Sequence, residues 1–280
     1  MKILVTGING QLGHDTALEL TGRGIEVVSP PHSEMDITDA AAVKRYIEMS
    51  CPDAVIHCAA YTAVDKAEDE EELCRKVNVD GTGNLAECCA ERDIPLMYIS
   101  TDYVFNGTGE RPWEPEDETE PINAYGLSKR DGETEVLKLK KFFIIRISWV
   151  FGINGNNFVK TMLRLSETRD SLNIVDDQRG SPTYTKDLAV LLADMIVTDR
   201  YGIYHAHNEG VCSWADFAEE IFRLSNRNVK IIRITSNQYP MKAKRPMNSR
   251  MSTAKIKQNG FNLLPDWKDA LGRYLLEVNE

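Results

Sequence analysis

The chain has 280 residues, 42% of them hydrophobic, and a formal net charge of -10 at pH 7. This acidic balance argues against nucleic acid as the main partner, and no stretch approaches the roughly 20 apolar residues that span a bilayer. The N-terminal stretch MKILVTG lacks the pattern of a signal peptide, and the six cysteines form no Cys-x-x-Cys pair, so we expect a cytoplasmic protein with reduced thiols that binds no membrane.

Apolar runs alternate with helical periodicities along the first half of the chain. The predicted strands cover residues 2–7, 25–30, 52–60, 95–100 and 142–152. The predicted helices cover residues 14–24, 36–50, 70–93 and 124–140, and the third is expected to bend near Gly81 and Gly83. Beyond residue 152 the pattern loosens into helices over 181–197 and 213–225, a strand over 228–234 and a loop over 245–256.

Strands that are apolar throughout and alternate with helices predict an α/β protein whose parallel sheet is covered on both faces. We therefore expect a doubly wound parallel sheet in residues 1–150 and a smaller C-terminal domain in residues 151–280. Some C-terminal elements are expected to return to the first lobe.

The segment TGINGQLG joins the first strand to the first helix and repeats glycine every third residue. Without side chains, a backbone can turn tightly and approach a pyrophosphate, and the start of the helix offers free N–H groups to the anion. The turn therefore predicts a Rossmann-type nucleotide site. Its candidate cofactor contacts are Gly7, Asn9, Gly10, Gln11, Leu12 and Gly13.

The end of the second strand bears on the choice between NADH and NADPH. An acid there normally binds the ribose hydroxyls of NAD, and an arginine nearby accommodates the 2′-phosphate of NADP. Here Ser29 occupies the position of the acid, and no arginine follows closely. We predict mixed use of NADH and NADPH, with Asp36 and Ile37 near the adenine.

Tyr125 and Lys129 lie four residues apart in YGLSK on a predicted helix. Such a spacing is weak by itself, since it is also that of an ordinary exposed pair on one helical face. The choice between a catalytic set and a surface pair therefore depends on the other motifs of the chain.

Taken together, these motifs resemble the extended short-chain dehydrogenase/reductase family, and within it the dTDP-4-dehydrorhamnose reductases. The matching segments run over nearly the whole chain: VTGINGQLG, DITD, PDAVIHCAAYTAVDKAE, VNVDGTGNLA, YISTDYVFNG, YGLSK, IIRISWVFG, GSPTYTKDLA, GIYHAHNEG and RPMNSRMSTAKI. The resemblance implies reduction of the 4-keto group of a dTDP-6-deoxyhexulose by NAD(P)H.

The resemblance also implies roles for individual residues. Tyr125 would donate a proton to the carbonyl oxygen, Lys129 would lower its pKa and bind the nicotinamide ribose, and Thr101 would supply a third hydroxyl. Further cofactor contacts would be Ala59, Ala60 and Tyr61. The implied substrate contacts are Thr101, Asp102, Tyr103, Trp149, Asn157, Phe158 and Arg245.

Residue 103 separates branches of the family. Related 4,6-dehydratases carry Thr-Asp-Glu where this chain has Thr101-Asp102-Tyr103, so the extra acid is missing and simple reduction is favoured. His205 and His207 alternate on a predicted strand and indicate no zinc site. Magnesium and a homodimer, both known in the family, match no recognisable acids and stay open.

Two alternatives are kept beside the reductase. One is a non-catalytic binding subunit like the regulatory β-subunit of methionine adenosyltransferase, which resembles the same enzymes. The other is a reductase of a different nucleotide-linked 4-keto-6-deoxysugar.

Overall fold

The computed structural model describes residues 1–278. Within them the α-helices are α1 (Gln11–Gly22), α2 (Ala40–Ser50), α3 (Val64–Ala67), α4 (Glu71–Arg75), α5 (Gly81–Arg92), α6 (Ala124–Val136), α7 (Phe158–Leu165), α8 (Thr185–Ile196), α9 (Trp214–Leu224), α10 (Ala254–Gln258) and α11 (Trp267–Val278). No helix of this part of the chain is long and apolar enough to cross a membrane.

The strands of the described residues are each two to six residues long. They are β1 (Lys2–Thr6), β2 (Glu26–Val28), β3 (Ala54–His57), β4 (Leu96–Thr101), β5 (Phe142–Ile147), β6 (Val150–Phe151), β7 (Ser171–Val175), β8 (Arg179–Gly180), β9 (Thr183–Tyr184), β10 (Gly202–His205), β11 (Asn208–Glu209), β12 (Cys212–Ser213), β13 (Lys230–Ile234), β14 (Asn248–Ser249) and β15 (Leu264–Asp266).

A six-stranded parallel sheet forms the centre of the molecule, in the order β10-β5-β4-β3-β1-β2. One apolar core fills the face covered by α1 and α8, and a second fills the face covered by α2, α5 and α6. The predicted Rossmann-type, doubly wound α/β fold is confirmed. Because the chain runs outward to β2 and then returns to β3, the connections diverge between β1 and β3, which is where such sheets bind nucleotides.

A third apolar core lies among α7, α9 and α11 and the strands between them. The elements after residue 150 do not all belong to it. Helix α8 packs on α1, and β10 pairs with β5 at the edge of the central sheet. The chain therefore passes back through the first lobe on its way to the C-terminus.

Two predicted elements are interrupted in the structure. The helix over 70–93 is divided by a π-helical turn at Lys76–Asp80, just before the glycines where a bend was expected. The strand over 142–152 stops after Ile147, because Trp149 adopts a left-handed backbone with φ of +49°. Each interruption adjoins the edge of the sheet at which the strands end, and such irregularities are frequent at functional sites.

Candidate active site

A cleft of about 790 Å³ opens at the carboxyl edge of the central sheet. It brings together many residues that the sequence predicted: Gly7, Gly10, Gln11, Leu12, Gly13, Ala59, Ala60, Thr101, Asp102, Tyr103, Tyr125, Lys129 and Trp149. Thr62, Ser148, Asn156 and Trp214 also line it and were not predicted. Its size and its mixed polar and apolar walls are those of a small-molecule site.

The glycine turn closes the floor of the cleft. Gly7 has φ of +72°, and a Cβ there would lie 2.7 Å from the backbone nitrogen of Ala59 on the neighbouring strand end. A Cβ on Gly13 would overlap the carbonyl of Gly7. Both positions need glycine, because α1 must approach the sheet closely at its first turn.

Gly10 is the N-cap of α1, and no side chain caps the first turn. A Cβ on Gly10 would lie 3.2 Å from the Gly7 carbonyl oxygen, so a larger residue would crowd the turn. The uncapped N–H groups and the positive end of the helix dipole adjoin the cleft and suit an anion. These residues fit the diphosphate of a dinucleotide.

A chain of hydrogen bonds ties the turn to the helix behind it. The Ala59 N–H donates to Thr6 Oγ1 over 3.1 Å, and Thr6 Oγ1 lies 2.7 Å from Nδ1 of His57. Nε2 of His57 lies 3.2 Å from the hydroxyl of Thr82, which itself donates to the Asn78 carbonyl. Nε2 of His57 must then carry a proton, because the proton of the Thr82 hydroxyl is committed to Asn78. Burial lowers the pKa of His57 to about 3, so the ring is neutral and Nδ1 accepts from the Thr6 hydroxyl.

Thr101 ends β4 and its side chain is almost completely buried. Its hydroxyl donates to Asp102 Oδ1 over 3.1 Å and accepts from the Tyr103 N–H over 3.3 Å. The Ser249 hydroxyl donates to the other carboxylate oxygen of Asp102. Burial raises the pKa of Asp102 to about 6, although the hydrogen bonds from Ser249 and Thr101 oppose the rise.

Tyr125 and Lys129 lie one turn apart on α6 and both line the cleft, Tyr125 half-buried and Lys129 buried. Burial raises the pKa of Tyr125, opposed by its hydrogen bond with Thr101. Lys129 Nζ donates to the Ile99 carbonyl over 2.7 Å and lies 4.0 Å from the centre of the Tyr98 ring, and burial lowers the pKa of Lys129 to about 7. The structure therefore does not show the lowered pKa expected for Tyr125, because burial is the largest influence on it.

A buried ion pair joins α6 to β5, one turn after Lys129. Glu133 accepts two hydrogen bonds from Arg146 of β5, at 2.9 and 2.8 Å, and one from Ser100. The side chains of Glu133 and Arg146 are only 4% and 3% exposed. Glu133 raises the pKa of Lys129 and so opposes the effect of burial on the ammonium.

Two stacked tryptophans form the wall opposite Tyr125. The ring centres of Trp149 and Trp214 are 3.8 Å apart, and a Cβ on Gly180 would lie 2.9 Å from the Trp149 ring. Trp214 is held by a 3.1 Å hydrogen bond from its ring nitrogen to Gln178. Close packing on both sides stabilises the left-handed backbone of Trp149.

Three predicted contacts lie behind the walls. Asn157 is the N-cap of α7 and donates to Gln11 Oε1 over 3.0 Å, while Phe158 packs against Trp214 with ring centres 4.6 Å apart. The Asn9 carbonyl accepts from Asn154 over 3.0 Å. These bonds attach the loop over 152–157 to the glycine turn.

Four others lie further out. Asp36 caps its own turn through Thr38, and Ile37 is buried in the core. Tyr61 donates its hydroxyl to Glu70 over 2.6 Å. Arg245 pairs with Asp65 over 2.6 Å and lies 5.9 Å from the Tyr103 ring, on the segment that also carries Ser249.

The residues of 1–278 include no group of three or more His, Cys, Asp or Glu side chains placed to hold a metal ion. His205 lies between Arg146 and the Trp113 carbonyl, and His207 lies between the carbonyls of Asn208 and Met251. Both imidazoles are therefore engaged in structural hydrogen bonds.

Comparisons with known proteins agree with the site. The model of the RmlD substrate binding domain family matches residues 1–280. The dTDP-4-dehydrorhamnose reductase of Aggregatibacter actinomycetemcomitans is 43% identical over 285 residues, covering 96% of this chain and 97% of that protein. The crystal structure of a dTDP-4-dehydrorhamnose reductase from Clostridium acetobutylicum has a TM-score of 0.97 at 40% identity, with both chains covered completely.

A second solved structure is that of the dTDP-4-dehydrorhamnose reductase of Bacillus anthracis in complex with NADP. It has a TM-score of 0.96 at 39% identity, and the match covers 99% of each chain. The match therefore spans both lobes and the cleft between them. The chain belongs to the RmlD substrate binding domain family, together with the dTDP-4-dehydrorhamnose reductases that it resembles.

Proposed function

We propose that the chain reduces the 4-keto group of dTDP-6-deoxy-L-lyxo-4-hexulose to give dTDP-L-rhamnose, with NADPH or NADH as cofactor. The observation that carries the proposal is the cleft, where one glycine turn, the half-buried Tyr125 and the buried Lys129 meet at the switch point of the sheet. The full-length relatives described above bear the name of that reductase.

Tyr125 is the proton donor of the reaction. Because burial raises its pKa, the phenol stays protonated at neutral pH and holds the proton that the product alkoxide requires. The bound nicotinamide supplies the hydride to the carbonyl carbon. Thr101 donates a second hydrogen bond to the same oxygen, and the charge of Lys129 stabilises the tyrosinate that remains.

Substrate recognition is proposed for Thr101, Asp102, Tyr103, Trp149, Asn157, Phe158 and Arg245. The first four line the cleft, whereas Asn157 and Phe158 act through the wall that they support. Nη1 of Arg245 is buried and has no hydrogen-bond partner among residues 1–278. It is therefore a donor for a diphosphate oxygen of the sugar nucleotide.

Mixed cofactor use is proposed from the end of β2. The Ser29 hydroxyl donates to the Val5 carbonyl over 2.7 Å, so it offers no carboxylate to a ribose. His32 is exposed on the following turn, and it is the only basic side chain between β2 and α2. Neither cofactor has a dedicated charged partner, and we expect their efficiencies to differ by less than about two decades.

A cytoplasmic location is proposed with this function, and it is supported by six cysteines that all carry free thiols. Sedimentation of the purified protein measures its oligomeric state directly.

Single-turnover hydride transfer in a Tyr125→Phe protein tests the function. The substitution keeps the ring and removes only the proton donor, so folding and NADPH binding should persist while the rate falls by at least about two decades. Tyr46→Phe, on α2 and outside the walls of the cleft, is the matched control and should react at the native rate. A Tyr125→Phe rate within threefold of wild type would contradict the proposal.

The wild-type assay also decides between the alternatives. A non-catalytic subunit would oxidise no NADPH with the keto-sugar nucleotide but would bind a methionine adenosyltransferase catalytic subunit. Turnover of another nucleotide 4-keto-6-deoxysugar at a higher kcat/KM would identify a different reductase. Product stereochemistry determined by NMR completes the assignment.

A further inference from the structure

The hydroxyl groups around Thr101 form a chain with a direction. Thr101 has one hydroxyl proton, and it donates that proton to Asp102 Oδ1 over 3.1 Å. The same hydroxyl oxygen accepts the Tyr103 N–H over 3.3 Å. In this arrangement Thr101 donates toward Asp102 and not toward a substrate carbonyl in the cleft.

A proton on Asp102 reverses that direction. The carboxylic acid then donates from Oδ1 to Thr101 Oγ1, which frees the threonine proton for the substrate oxygen. The Ser249 hydroxyl donates to Oδ2 of Asp102 in both states, because that oxygen is an acceptor whether or not Oδ1 is protonated.

We infer that Asp102 and Ser249 are positioning residues for the reduction, and that the protonation state of Asp102 sets whether Thr101 donates toward the substrate or away from it. The inference rests on the proposed function. It assigns Ser249, on β14 of the C-terminal segment, a role in the orientation of a hydroxyl on β4.

The surroundings of Asp102 allow such a change near neutral pH. Burial raises its pKa to about 6, whereas an aqueous aspartate would be ionised throughout that range. The titratable groups facing it are Tyr103 on its own turn and Tyr125 on α6, and burial keeps both phenols neutral. The cations of the region are engaged elsewhere, Lys129 with Ile99 and Arg245 with Asp65.

The pH dependence of single-turnover reduction provides the test. In the wild type the rate of reduction should decline as pH rises through about 6, because Asp102 becomes ionised. Asp102→Asn places an amide donor beside Thr101 at every pH, so the rate of this variant should not show that decline. The ratio of the Asp102→Asn rate to the wild-type rate should therefore increase with pH, by about tenfold for one hydrogen bond. A ratio that is constant with pH would overturn the inference, since a merely structural residue changes the rate equally at all pH values.

Two further variants separate positioning from direct contact. In a Thr101→Val background, Asp102→Asn should leave the pH profile unchanged, because its effect passes through the threonine hydroxyl. A change in the pH profile that persists there would mean that the titration of Asp102 affects the reaction without the threonine hydroxyl, against the inference. Ser249→Ala removes a donor to the carboxylate, so it should raise the pKa of Asp102 and move the decline to higher pH. A decline that stays in place or moves down would count against Ser249.

Thr101→Val alone keeps the test decisive if the buried substitutions at Asp102 or Ser249 prevent folding. Its cost relative to wild type should be largest below pH 6 and should shrink as pH rises. An equal cost at all pH values would overturn the inference while leaving the proposed reductase intact. Absence of turnover in the wild-type protein at every pH would overturn both.

Discussion

The buried ion pair of Glu133 and Arg146 leads to a specific prediction about the stability of the fold. Glu133→Gln preserves the shape of the side chain but removes its charge, and the amide NH₂ then faces the guanidinium, donor to donor. Both side chains are at least 96% buried, so water cannot solvate the arginine that is left. Removal of one partner of a buried ion pair typically costs about 3–5 kcal/mol.

We expect the free energy of unfolding to fall by that amount in urea titrations followed by circular dichroism, with a melting temperature lower by roughly 10 °C. Glu135→Gln is the matched control on the same helix. Its ion pair with Lys138 has side-chain exposures of 28% and 63%, so its loss should cost less than about 1 kcal/mol.

The same substitution has a second expected effect. Glu133 is the leading group that raises the pKa of Lys129 against burial, so its neutralisation should lower that pKa further below about 7. The rate of reduction at neutral pH should then fall in Glu133→Gln and not in Glu135→Gln. If Glu133→Gln and Glu135→Gln unfold at the same urea concentration, the buried ion pair does not stabilise the fold more than the exposed one.

Further predictions concern the cleft. Gly10→Val should weaken NADPH binding in calorimetry while the fold survives, since its side chain would crowd the Gly7 carbonyl; unchanged affinity would contradict the role of the turn. Lys129→Met should reduce both turnover and cofactor affinity, and loss of only one would refute a double role. The folded-state pKa of Asp102 is raised, so its contribution to the free energy of unfolding is present below about pH 4 and is lost as pH rises through about 6. The loss amounts to at most about 3 kcal/mol in urea titrations of the wild type, and it should be absent in Asp102→Asn.

The sequence could predict the parts of the site that depend on local pattern. Gly7, Gly10 and Gly13 mark a strand–turn–helix unit by their spacing, and Tyr125 and Lys129 share a face because a helix brings positions four apart together. Parallel strands then bring Thr101 to the same edge of the sheet as the glycine turn. The family and the fold followed from these segments, and both predictions are confirmed.

Contacts between distant segments carried no such local signal. Trp214 stacks on Trp149 from the next lobe, and Ser249 reaches Asp102 across 147 positions of chain. A serine or a tryptophan in a C-terminal helix or loop looks the same whether it faces solvent or a cleft. The interruption at Trp149 was missed for a related reason, because an apolar run predicts a continuous strand and tertiary packing can still break it.

The spacing of Tyr125 and Lys129 fits either a catalytic set or an exposed pair, and the burial of Lys129 bears on that choice. An exposed pair on a helix would hold its ammonium in water, whereas Lys129 is only 2% exposed and its pKa is lowered. A buried ammonium is costly unless other groups compensate for its lost hydration. Here the Ile99 carbonyl, the Tyr98 ring and the charge of Glu133 supply that compensation. Lys129 and Glu133 thus lie one turn apart on the buried face of α6, with the half-buried Tyr125 one turn before them. This placement favours the catalytic interpretation of Tyr125 and Lys129 over an exposed pair.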